Sequence, residues 1–241
     1  MRCVFILLLT CGWLVSTAQD DVYPVAPQKG TFYITGGTVH VGNGTVINNG
    51  VIEVTDGRII RVAATAAPAG AQVIDATGKQ VYPGLILPES DLGLKEIANA
   101  VRGSNDYQEI GEWNPDVQGA VAYNTDSRII NTLKSNGIVL ANVCPSGSLL
   151  AGTSSVMQLD AWNWEDALYK RNSAMELYLP SLINRRPRGG GRNPNQPERD
   201  PVKEALDKIS DVKQFLAEAK AYSMDTSRLH RNVKFESLRP L

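Results

Sequence analysis

Two histidines, His40 and His230, are the only imidazoles in the 241 residues, so the chain cannot by itself assemble a multi-histidine metal centre. His40 falls in a β-branched stretch and reads as a half-exposed strand residue. His230 stands between Leu229 and Arg231, with Arg228 close by. Local positive charge resists a cation there, and the residue reads as a solvated surface histidine. Other candidate chemistry is sparse. Cys144 follows an apolar run and reads as a lone buried thiol rather than a nucleophile. Ser148 to Ser155 is a small, glycine-containing stretch that could line a pocket. Trp162 and Trp164, two apart, offer a platform for a sugar or peptide, but such residues more often pack. No Gly-x-Ser-x-Gly elbow or phosphate loop occurs.

The elements that would position these residues change character along the chain. Residues 31–83 are strand-rich. Thr31 to Thr35, Thr38 to Val41, Thr45 to Ile47, Val51 to Val54 and Arg58 to Val62 are short β-branched runs. Gly36-Gly37, Gly42-Asn43-Gly44, Asn48-Asn49-Gly50 and Asp56-Gly57 separate them as turn signals. Val73 to Asp75 and Gln80 to Tyr82 follow. Strands at this spacing predict a small β-sandwich or open barrel. From Pro83-Gly84 onward, helices and strands alternate. Leu85 to Leu87 reads as a buried parallel strand. Asp126 can cap a helix over Ser127 to Ser135, stopped by Asn136-Gly137, with a strand over Ile138 to Val143. Another strand is expected at Ser155 to Leu159, and a helix within Trp162 to Leu177. Residues 185–200 are rich in Arg, Pro and Gly and read as an exposed, mobile loop. Asp200-Pro201 opens a helix with Val202, Ala205, Leu206, Ile209, Val212, Phe215, Leu216 and Ala219 at core-facing spacing. A last short helix is expected through Phe235 and Leu238.

The first eighteen residues read as a secretory signal. Arg2 precedes an apolar core from Cys3 to about Val15, and Ser16-Thr17-Ala18 supplies the small residues of a cleavage site. The apolar stretch is short of the about 20 residues a membrane span needs. A runner-up reading takes Leu8-Leu9-Thr10-Cys11 as a lipoprotein signal with Cys11 as the lipidated residue. Cleavage after Ala18 leaves a linker, 19–30, and Cys144 as the sole cysteine, so no internal disulfide forms. The expected location is secreted or periplasmic, in a bacterium. With a net charge of −1 and no long basic face, nucleic acid is not an expected partner.

The passage from β-rich segment to alternating elements carries a family resemblance. Ile34-Thr35-Gly36-Gly37-Thr38-Val39, Gly50 to Ile59, Val73 to Gly78 and Gly78-Lys79-Gln80-Val81-Tyr82-Pro83-Gly84-Leu85-Ile86 occur in that order. They resemble the N-terminal part of the amidohydrolase superfamily, in the style of its imidazolonepropionase-like secreted members. Gly152 to Ser155 and Gln158 to Asp166 are similar to a secreted subgroup of it. The resemblance implies a composite β-domain followed by a (β/α)₈ barrel. It also implies hydrolysis of carbon–nitrogen bonds other than peptide bonds by metal-activated water, with an amide-like small molecule as substrate. In such barrels the site lies at the C-terminal ends of the strands.

The family's first barrel strand usually carries His-x-His shortly after Pro-Gly-Leu-Ile, because residues i and i+2 of a strand point the same way. Aligned on Pro83-Gly84-Leu85-Ile86, this chain has Glu89-Ser90-Asp91 there. Two carboxylates on one face can ligate a hard cation but replace imidazoles poorly at a zinc site. The simpler reading makes Glu89 and Asp91 polar residues at a strand end or helix cap. A zinc-like divalent metal is expected only if further ligands exist beyond this chain, and no cofactor is expected within it. Residues 84–241 also fall short of the about 200–250 residues of a complete barrel. The chain is therefore read as α/β, with a β-sandwich over 31–83 and a partial, truncated barrel over 84–241. Two functions are compatible with this: a hydrolase inactive in this truncated form, or an exported pseudoenzyme serving as a binding or scaffold protein. A partner chain could complete the barrel, since open strand edges invite pairing.

Overall fold

A computed structural model describes residues 24–96, 106–147, 149–182, 200–225 and 231–239. The signal segment with Cys11, residues 19–23 of the linker, Ser148, His230 and residues 185–199 of the basic loop lie outside the described residues.

Five strands form the first sheet: β1 (Thr31–His40), β2 (Val46–Thr55), β3 (Arg58–Ala63), β4 (Gln72–Asp75) and β5 (Gln80–Val81). Their order is β3-β2-β1-β4, with β5 also paired to β1. The β1–β2 and β2–β3 pairs are antiparallel, while β4 and β5 run parallel to β1. Asp56 and Gly57 both take positive φ, 48° and 73°, which gives the tight β2–β3 reversal its twist. Two expected turns turn out to be irregularities inside long strands. β1 runs through Gly36-Gly37 and β2 through Asn48-Asn49-Gly50, with register shifts on both sides of the Gly37–Gly50 pair. The reason is steric: a Cβ on Gly50 would lie 2.6 Å from Val39 Cγ2. Glycine lets the strands close up and bulge rather than reverse.

The second sheet contains β6 (Leu85–Ser90), β7 (Ile138–Val143), β8 (Leu150–Gln158) and β9 (Leu168–Leu177), in that order. β6 and β7 are parallel, linked through a 3₁₀ turn (Gly119–Ala122) and helix α1 (Arg128–Ser135). The expected alternation holds for this one step and then gives way to antiparallel pairs, β7–β8 and β8–β9. Within Trp162 to Leu177, only one helical turn forms, α2 (Trp164–Ala167), and the rest is strand β9. Asn163 caps that turn by accepting from Asp166 N at 2.8 Å. Pairing with β8 then prevails over continued helix. Ser127 rather than Asp126 occupies the α1 N-cap, and its hydroxyl donates to Glu96 instead of capping. Asp126 sits in a turn held by Asn124. Asn136-Gly137 ends α1 as expected, with Gly137 at φ 81°.

The core lies on the α1 side of this sheet. Leu92, Leu94, Tyr123, Ile130, Val143 and Met157 are among its buried members. Helix α3 (Pro201–Met224) has Asp200 as its N-cap, accepting from Val202 N and Lys203 N, with Pro201 first in the helix. Its buried stripe is narrower than expected: Ala205, Val212 and Ala219 are covered, whereas Val202, Leu206 and Leu216 stay exposed. α3 lies against Trp113 and α4 (Val233–Ser237) through ring contacts of Phe215 with Trp113 and Phe235. That seam follows one side of the helix, so the other apolar positions face outward.

Candidate functional site

β6 and β7 are the one parallel pair of the second sheet, and their C-terminal ends lie side by side. Ser90 is half-buried, while Glu89 and Asp91 on either side of it are exposed, after a register shift between Leu87 and Ser90. Ser90 O accepts from Cys144 N at 2.8 Å, locking the two strand ends together. Ser90 Oγ accepts from Leu92 N at 3.0 Å. Asp91 begins a turn in which its carbonyl accepts from Leu94 N and Lys95 N, and its carboxylate lies 3.9 Å from Lys95 Nζ.

Cys144 closes β7 and is 3% exposed. Burial pushes its thiol up to about 11, and the charges of Glu176 and Glu89 push the same way against a hydrogen bond from the Ser90 backbone. The thiol is therefore protonated at neutral pH and a poor nucleophile. Its sulfur accepts from Asn142 Nδ2 at 3.4 Å. Tyr178, just past β9, donates to Pro145 O at 3.2 Å. Burial lifts its phenol to about 12, with Glu176, Cys144, Glu89 and Asp91 adding to the shift. Glu89, Asp91, Cys144, Glu176 and Tyr178 thus share one electrostatic neighbourhood, anionic in character. Beside it, an open groove of about 480 Å³ runs past Pro145 and carries Asp106, Glu109 and Asp116. Deeper in the sheet, Ser173 Oγ donates to Asn142 Oδ1 and lies 3.1 Å from Ser154 Oγ.

Glu176, Tyr178 and Ser173 were not singled out by the sequence. Neither the residue types nor the burial of Leu168–Leu177 alternates, so pairing with β8 rather than a sequence pattern makes this a strand. The small-residue stretch ending at Ser155 is not a pocket lining. From Leu150 on it belongs to β8, with Thr153, Ser154 and Ser155 buried. Gly152, at φ 125°, permits this close packing, because a Cβ there would lie 2.5 Å from Val117 O. The two tryptophans separate: Trp164 packs on the core, and Trp162 is exposed. His40 ends β1 in the other sheet, hydrogen-bonded to Gln80 Oε1 at 2.7 Å and stacked on Tyr82 at 4.3 Å.

The arrangement does not fit a zinc-like ion. Among the described residues no three His, Cys, Asp or Glu side chains converge on a point that could hold a metal. Glu89 and Asp91 offer exposed oxygens only, Asp91 is drawn to Lys95, and the nearby sulfur is a protonated thiol.

No family model matches the chain, and no curated protein matches it. Among solved structures it is similar to an amidohydrolase from Thermotoga maritima MSB8, with a TM-score of 0.64 and 17% identity over 86% of this chain and 54% of that one. Smaller parts match a prolidase complexed with N-methylphosphonate-L-proline (TM-score 0.33, 22% identity, 46% of this chain and 25% of that one). A D-hydantoinase matches at TM-score 0.25 and 22% identity, over 44% and 23%. The chain spans about half the length of the Thermotoga protein. Over that length, it has the fold of an amidohydrolase.

Proposed function

We propose that the chain belongs to the amidohydrolase superfamily, hydrolases of carbon–nitrogen bonds other than peptide bonds, and that by itself it does not catalyse that hydrolysis. In this reading β6 and β7 are strands of a partial (β/α) barrel, and the first sheet is one layer of a composite β-sandwich domain. The observation that carries it is the end of β6. Where the family resemblance places two imidazoles, Glu89 and Asp91 stand exposed, and Asp91 opens a turn beside Lys95. A second reading, an exported pseudoenzyme that binds or scaffolds, draws on the same observation, because the fold persists without the chemistry. Secretion or a periplasmic location follows from the signal-like residues 1–18, with lipidation at Cys11 as the runner-up. An amide-like small molecule is the expected ligand, nucleic acid is not a partner, and a partner chain completes the barrel.

The test is elemental analysis of the purified chain after incubation with zinc, together with hydrolysis assays on small cyclic and acyclic amides. The expected result is substoichiometric zinc and no turnover. Stoichiometric zinc with turnover that falls in Glu89→Gln would overturn the proposal.

A further inference from the structure

The chain contains three Asn-Gly steps, Asn43-Gly44, Asn49-Gly50 and Asn136-Gly137. Such a step is chemically reactive, because glycine has no side chain to keep its amide nitrogen away from the preceding carboxamide. The fold treats the three differently. Asn136 Nδ2 donates to Thr132 O at 2.7 Å, and Gly137 N donates to Lys134 O at 3.0 Å. The nitrogen that would attack and the nitrogen that would leave are both tied. Gly50 is buried within β2, so close to Val39 that a Cβ would meet Val39 Cγ2 at 2.6 Å. Packing of that kind resists the backbone rotation that attack requires. Asn43-Gly44 has neither restraint. Residues 41–46 are all exposed, and neither Gly44 N nor Asn43 Nδ2 has a hydrogen-bond partner among the described residues. Asn43 Oδ1, in contrast, accepts from Thr45 N at 3.0 Å. That bond folds the side chain over the Gly44 peptide unit and polarises the carboxamide carbonyl, where negative charge develops when a nitrogen adds to Cγ.

We propose that Asn43 is a site of spontaneous deamidation selected by the fold. A solvent base takes the Gly44 N–H proton, and the nitrogen bonds to Asn43 Cγ. The Cγ–Nδ2 bond breaks, and Nδ2 leaves as ammonia with a proton returned from solvent. Water then opens the five-membered imide at either carbonyl, giving aspartate or isoaspartate. Each event adds one negative charge to a chain of net charge −1. The isoaspartyl product also lengthens the loop backbone, which strains the Val41 N to Thr45 O bond of 3.0 Å that closes the β1–β2 connection. The loop lies against Pro83, since a Cβ on Gly42 would sit 3.4 Å from Pro83 Cγ, so the change falls where the chain passes from the first sheet to the second. The modification is independent of whether the chain hydrolyses amides.

Incubation of the purified chain at pH 8, folded and in guanidinium, tests this. Peptide mapping with fragmentation that assigns each asparagine, and separates aspartate from isoaspartate, reads the rates. In guanidinium the three steps should react at similar rates. In the folded chain Asn43 should stay close to its unfolded rate, while Asn49 and Asn136 fall at least about tenfold behind it. Asn43→Gln should remove the acidic species that accumulates on ion exchange. The proposal is overturned if folding slows Asn43 as much as the other two. It is equally overturned if the acidic species accumulates in Asn43→Gln at the parent rate.

Discussion

In the second sheet Ala141, Val143 and Met157 are sealed from solvent, whereas in the first Ile59, Ile60, Val73 and Ile74 remain between 47% and 68% exposed. β1, β2 and β3 are rich in β-branched residues and β9 has none, so propensity does not account for the deeper burial of the second sheet. Cover does. The second sheet has α1, the 3₁₀ turn and the 92–94 segment packed on it, and its central strand β8 is buried along six consecutive residues. Folding free energy therefore concentrates in the second sheet, and the chemically interesting side chains stand at its rim, where a rigid scaffold can hold them. The first test of this contrast is large-to-small truncation. Met157→Ala should lower the unfolding free energy by about 2–5 kcal/mol, as core truncations do. Ile60→Ala in the first sheet should change it by about 0.5 kcal/mol or less. Denaturant unfolding measures both, and similar losses would sink the contrast.

The same contrast explains what the sequence could disclose. Local rules sufficed where the outcome was local. The Asp56-Gly57 reversal, the Asn136-Gly137 stop, the strand over Ile138–Val143 and the Asp200-Pro201 helix start all formed as read. Tertiary pairing decided the rest. Residues 168–177 are strand because β8 offers them an edge, and Gly50 bulges because Val39 lies across from it. The site was half legible. Glu89, Asp91 and Cys144 follow from strand ends, but Glu176 and Tyr178 come from β9 and just past it, two places from β7 and three from β6, which no spacing rule announces.

At the rim, the prediction concerns Cys144. With its thiol raised to about 11, little thiolate exists at pH 8. Alkylation of the Cys144 peptide by iodoacetamide should run roughly a hundred-fold slower than for an exposed cysteine with a pKa of about 8.5. The rate should climb about tenfold per pH unit until unfolding intervenes. Mass spectrometry of the Cys144 peptide reads this directly. A rate like that of a free thiol at pH 8 would mean that the strand end opens to solvent.

Glycines allow a finer comparison of the two regions. Gly93, at φ 73°, lies under the second sheet, and a Cβ there would meet Tyr123 Cδ2 at 2.5 Å. Gly57 also has φ 73°, but a Cβ there meets nothing within 4 Å. Both alanine variants suffer the left-handed backbone cost of about 1 kcal/mol. Gly93→Ala should lose about 1–3 kcal/mol more, because the Tyr123 ring has to move within a packed core. Thermal or urea unfolding of the pair isolates the packing contribution, and equal losses would show that the Tyr123 ring yields freely.

The smallest expected effect separates two ion pairs, one from each region. In the first sheet Arg61 Nε lies 3.1 Å from Glu53 Oε2 on a half-exposed face. At the edge of the second, Asp160 accepts from Lys134 Nζ and from Val25 N at 2.9 Å. Burial alone would raise the Asp160 carboxyl, but Lys134 and the Val25 amide outweigh it and hold the group below its ordinary 3.8. The folded-state pKa is thus the lower one. The stabilisation is fully present above about pH 4 and is lost as pH falls through the depressed value. Asp160→Asn should cost about 1 kcal/mol at pH 7, a figure kept small because both side chains are about a third exposed. The gap to the parent should shrink as pH falls below the ordinary carboxylate range. Glu53→Gln should cost about 0–1 kcal/mol at pH 7. Urea unfolding at pH 7 and pH 3 distinguishes the cases: an Asp160→Asn deficit of the same size at both would show that the contact acts through shape and not through charge.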